Sequence, residues 1–68
     1  MMEKRKFLKL FKTDDTLILI PVDTIVQIEE NSYHHVRVTF LEDEESIRHV
    51  FVKESMQDII QGNIFVML

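Results

Sequence analysis

Sixty-eight residues, 46% hydrophobic and 29% charged, with one Gly and one Pro, point to a single small domain spanning residues 1–68 and exclude a disordered chain. There is no Cys, which excludes disulfides and thiolate metal sites. The formal charge of −4 is uneven, with Lys4, Arg5, Lys6, Lys9 and Lys12 opposed only by Glu3 in the first twelve residues, and eleven acids against Arg37, Arg48 and Lys53 thereafter. An acidic body argues against non-specific nucleic-acid binding, which depends on neutralising phosphates.

A domain of this size buries only about 60% of its unfolded surface, and small domains without covalent staples commonly gain stability by oligomerising. The N-terminus has the positive start of a signal peptide. Its apolar run, residues 7–11, is interrupted by Lys9 and falls short of the roughly 7–15 apolar residues such a peptide needs. No stretch approaches the roughly 20 apolar residues of a membrane span. The expectation is a soluble, cytoplasmic protein with no membrane partner.

Residues 6–12 alternate imperfectly and predict a first strand, read as an edge strand solubilised by its lysines. Thr13, Asp14 and Asp15 form a turn, and residues 16–22 predict a second strand. Its run Leu17-Ile18-Leu19-Ile20 is apolar on both faces, the pattern of a central or covered strand. Pro21 lacks an N–H and marks the strand's end or an edge position. Asp23 and Thr24 make a short turn into a third strand built on Ile25, Val26 and Ile28. Asn31 and Ser32 then favour a turn, and Val36, Val38 and Phe40 alternate with His35, Arg37 and Thr39 as a fourth strand.

Glu42, Asp43, Glu44 and Glu45 read as a solvated loop, since a calcium loop needs spaced ligands and a Gly at its sharp turn. Residues 47–53 predict a fifth strand. Pairing Val36 with Val52 and Val38 with Val50 makes one face aliphatic, and Leu41, Ile47 and Phe51 then gather on the opposite face with His35, Arg37 and His49. Ser55 and Asp58 form a capping box for a short helix with Met56, Ile59 and Ile60 as its apolar stripe and Gly62 as its stop. The core is expected to join Val36, Val38, Val50 and Val52 to Met56 and Ile60. Ile64, Phe65, Val66, Met67 and Leu68 follow without a break, an apolar segment that must pack on the body or on another chain.

Chemistry-bearing residues are few. His34 and His35 are adjacent in a predicted strand, so they point to opposite faces and cannot chelate one ion. His35 and His49 could share a face, but a zinc site needs three or four ligands. Ser32, Ser46 and Ser55 are accounted for by turns and a cap, and one glycine cannot build a phosphate loop. No enzyme, metal, cofactor or small-molecule ligand is expected.

Two phrases carry a resemblance. At Ile20-Pro-Val-Asp-Thr-Ile-Val-Gln-Ile-Glu-Glu, and at Val52-Lys53-Glu54-Ser55 with its helix, the chain resembles small bacterial proteins of the flagellar FlbD type and similar short reading frames of gut bacteria and their phages. The likeness covers about residues 7–61 and implies a small bacterial protein of unclear role, without implying a chemical activity. Ile25, Ile28, Glu29, Tyr33 and Val36 also resemble a phrase of the LytTR DNA-binding domains of response regulators. Those domains are longer and carry basic loops where this chain is acidic.

The sequence thus predicts an α+β domain of about five mostly antiparallel strands in a curved sheet or small open barrel. One short C-terminal helix follows, then an apolar segment that can add a sixth strand. The expected function is that of a non-enzymatic bacterial interaction module that forms a homo-oligomer and binds an unidentified protein partner, with no nucleic acid. Its interface is expected at Leu41, Ile47 and Phe51 and at Ile64, Phe65, Val66, Met67 and Leu68. The alternative is a LytTR-like DNA-binding regulatory domain.

Overall fold

The computed structural model describes residues 5–62 with their side chains and the backbone of residues 65–67. The elements run β1 (Lys6–Phe11), β2 (Leu17–Pro21), a 3-10 turn (Val22–Thr24), β3 (Ile25–Glu30), β4 (Val36–Leu41), β5 (Ile47–Val52), α1 (Met56–Gln61) and β6 (Phe65–Met67). They form two three-stranded antiparallel sheets, ordered β2-β1-β6 and β3-β4-β5. The α+β class holds, and where the sequence led to a curved sheet or small open barrel the described strands form two sheets with no closed barrel.

The division has a local cause. β1 meets β5 only at its far end, where Lys12 bridges Val52, Lys53 N–H donates to Phe11 C=O at 2.8 Å and Thr13 N–H donates to Phe51 C=O at 3.2 Å. Earlier along the same edge of β1, residues 6–8 pair with β6, so β5 cannot continue alongside. Both oxygens of the Glu54 carboxylate accept from Phe11 N–H, at 3.0 and 3.2 Å. Sequence position reversed two roles. The lysine-rich β1, read as an edge strand, is the centre of its sheet, and the two-faced β2, read as central or covered, lies at the edge.

Each turn is closed by a short polar side chain. Lys12 N–H donates to Thr16 C=O at 2.8 Å across a three-residue loop, and Asp15 takes the left-handed position at φ 71°. Glycine is usual there, and Asp is one of the few other residues that tolerate it. Asn31 Oδ1 accepts from Tyr33 and His35 N–H at 2.9 and 3.0 Å, which builds the loop into β4. Asp43 Oδ1 accepts from Glu45 and Ser46 N–H at 2.8 and 2.9 Å, so the acidic loop is an Asx turn.

The valine register is the expected one: Val36 lies opposite Val52 and Val38 opposite Val50. Leu8, Leu10 and Ile20 of one sheet close with Val36, Val38 and Val52 of the other, and Ile59 of α1 covers the end of the core. Ile60 does not belong to it. Ile60 is 73% exposed, Ile59 is 7% exposed, and Met56 is half-buried. Adjacent helical positions are about 100° apart, so a six-residue helix turns one of the two isoleucines inward, and the 56/59 pair wins. The capping box is complete: Ser55 Oγ accepts from Asp58 N–H at 3.1 Å, Asp58 accepts from Ser55 N–H at 3.3 Å, and Gly62 ends the helix at φ 74°.

Candidate interaction surface

The sequence places its candidate surface on the outer face of the β3-β4-β5 sheet, and the register shows how that face is organised. Three rows cross it. Leu41 lies opposite Ile47 in an apolar row. Gln27, Thr39 and His49 form a polar row, in which Thr39 Oγ1 and His49 Nδ1 are 2.9 Å apart. Glu29, Arg37 and Phe51 form the third, with Arg37 paired to Glu29.

This arrangement brings Leu41 and Ile47 together but not Phe51. Ile47 and Phe51 are four residues apart on one strand, roughly 13 Å, with the His49–Thr39 pair between them. Phe51 instead stands where β5 meets Phe11 of β1 and Thr13 of the following turn. Phe65, Val66 and Met67 are the residues of β6 and pair with Leu8, Phe7 and Lys6 of the same chain. The segment expected to pack on the body or on another chain thus supplies a sixth strand to its own sheet at residues 65–67. Ile64 and Leu68 lie outside the described residues.

Four polar members of the surface are paired, Thr39 with His49 and Arg37 with Glu29. Thr39 is buried although it faces outward, and its hydroxyl donates to His49 Nδ1 or accepts from it according to the imidazole tautomer. No carboxylate orients this pair: Glu29 is held by Arg37. The Arg37 Nε is buried without a hydrogen-bond partner among the described residues. A cleft of about 180 Å³ lies beside it, lined by Glu29, Asn31, His35, Arg37 and Phe51. Its one cation is neutralised by Glu29 and its Asn31 oxygen caps the loop, so little remains to hold a charged ligand.

His34 and His35 lie in the loop before β4, not in a strand, with His34 in the left-handed region at φ 64°. Strand geometry therefore does not separate the two rings. Tyr33 and His35 rings are 6.4 Å apart. Among the described residues no group of three His, Asp or Glu is placed to hold a metal ion. A second hollow of about 420 Å³ lies at the corner, lined by Phe11, Asp15, Lys53, Glu54 and Asp58. Lys53 pairs with Asp15, Glu54 takes the Phe11 N–H and Asp58 caps α1.

Sequence reasoning missed a second surface. Phe11, Leu17 and Leu19 are exposed on the outer face of the β2-β1-β6 sheet, with Phe11 opposite Leu17 and Lys9 opposite Leu19. Near the other end the Arg5 guanidinium lies 5.7 Å from the Phe7 ring centre and pairs with Asp23 at 3.1 Å. In a run apolar at every position, period 2 does not reveal which half faces water.

Among the described residues no helix is long and apolar enough to cross a membrane. No family model matches the chain, and neither does any curated protein or solved structure.

Proposed function

We propose that the chain is a small non-enzymatic bacterial interaction module of the cytoplasm that works by associating with copies of itself. One observation carries this reading: large apolar side chains stand in water on both outer faces, Phe11, Leu17 and Leu19 on one sheet and the adjacent Leu41 and Ile47 on the other. Apolar surface gathered in this way marks a contact site. The likeness to FlbD-type proteins supports only the small bacterial protein in this reading. Sedimentation of the full chain at tens of micromolar tests it. A dimer or larger closed oligomer is expected, and a monomer there overturns the reading.

DNA binding is the second reading, favoured by Arg5, Lys6, Lys9 and Lys12 along β1 and by the LytTR likeness. Arg5 is engaged by Asp23, and the loop of Glu42, Asp43, Glu44 and Glu45 repels phosphate. A labelled duplex should stay unshifted at physiological salt. Submicromolar binding that disappears as salt rises would establish this reading over self-association.

A further inference from the structure

The open edge of β2 identifies a more specific contact. We infer that two copies of this chain join by antiparallel pairing of β2 with β2, making one six-stranded sheet across the dimer. The inference rests on the self-association reading and names its contact.

The backbone decides which groups are available. Lys12 N–H donates to Thr16 C=O, and antiparallel pairs alternate, so Leu10 with Ile18 and Leu8 with Ile20 are the hydrogen-bonded pairs between β1 and β2. The N–H and C=O groups of Leu17 and Leu19 therefore point away from β1, off the edge of the sheet. No loop or side-chain group among the described residues bonds to them.

A two-fold pairing centred on Ile18 uses all four of these groups. Leu17 of one copy lies opposite Leu19 of the other and exchanges both bonds with it, and the symmetry repeats the exchange on the far side. Ile18 meets Ile18 on the inner face, which covers a side chain that is only half-buried in one copy. Ile20 falls opposite Thr16. Pro21, which has no N–H, falls beyond the last exchanged pair and ends the ladder. On the outer face Leu17, 51% exposed, packs beside Leu19, 38% exposed.

A second copy fits better than an unrelated strand because this edge is uncharged from Leu17 to Pro21 and complementary to itself. Proteins blunt open edges with charges, bulges and covering segments. The other long edges have such devices. β3 has a bulge between Ile25 and Gln27 and ends in Glu29 and Glu30, and β5 carries Arg48 and His49 and is covered at its end by β1. Among the described residues β2 has none before its terminal proline.

The experiment compares the full chain with Leu19→Pro and Leu19→Lys by sedimentation equilibrium, with amide NMR spectra reporting the fold. Leu19→Pro removes an outward N–H that the bonds to β1 do not use. Leu19→Lys keeps that N–H and places like charges near each other across the two-fold axis. Each variant should weaken dimerisation by about 100-fold while keeping the amide pattern of a folded chain. If Leu19→Pro unfolds, Leu19→Lys at its exposed position decides. A dimer that survives Leu19→Lys with unchanged affinity overturns the β2 contact and leaves self-association standing through another face. A wild-type monomer overturns both.

Discussion

The open edge at β3 carries a bulge and two glutamates, whereas the open edge at β2 is Leu-Ile-Leu-Ile followed by a proline. Inside, the two sheets match: Leu10 at the centre of one and Val38 at the centre of the other are each 0% exposed. The contrast teaches that one core can be closed equally from both sides while only one side is guarded against strand addition. Apolar burial drives folding wherever it occurs, but an edge needs its own chemistry to stay unpaired.

Charge in the core tests the claim that both sheets depend on the same dry centre. Val38→Asp and Leu10→Asp should each leave the chain unfolded at 25 °C, because an isolated carboxylate has no partner there. A cooperative melt retained by either variant would show that its sheet folds without the shared core.

The next effect should separate the sheets. Removing residues 63–68 deletes β6, which pairs with residues 6–8 of β1 and is no strand of the other sheet. The loss should be about 2 kcal/mol in a urea titration, a few backbone hydrogen bonds at roughly 0.5–1.5 kcal/mol each. Amide exchange should quicken in β1 and β2 before it quickens in β4. Unchanged stability would mean that β6 adds nothing to its sheet.

A smaller effect belongs to the helix. Ser55→Ala should cost about 1 kcal/mol, since it removes the acceptor for Asp58 N–H. Ile60→Ser, at an exposed site, should change stability by less than about 0.5 kcal/mol. A larger loss at Ile60 would restore it to the core.

Acid should produce the smallest change, shared by both sheets. Hydrogen bonds from the Thr16 side chain and its N–H hold the Asp14 carboxyl below its ordinary value, and the N–H of Glu45, then of Ser46, does the same for Asp43. The folded state therefore favours both carboxylates in ionised form. Their contribution is fully present above the ordinary value of 3.8 and is lost as pH falls through the depressed folded values. Asp14→Asn and Asp43→Asn should each reduce the drop in melting temperature between pH 5 and pH 2 (about the span over which such carboxylates titrate). An identical drop in both variants would refute these two turns as acid-sensitive points.

The valine register, the Ser55–Asp58 cap and the Gly62 stop were legible in the sequence because each rests on local rules: period 2 along a strand, a side chain within reach of a helix terminus, a left-handed position. The same rules placed Leu41 and Ile47 on one outward row. Other features depended on where strands lie relative to one another. Lysines marked β1 as an edge until β6 and β2 enclosed it, and the two-faced run marked β2 as covered although it stands at the open side. Ile59 displaced Ile60 once α1 settled over the core. The sequence by itself determined the strands, their turns and which residues alternate. Only the tertiary structure decided which strand is central and which edge stays open, because strand order follows from long-range pairing that period cannot encode.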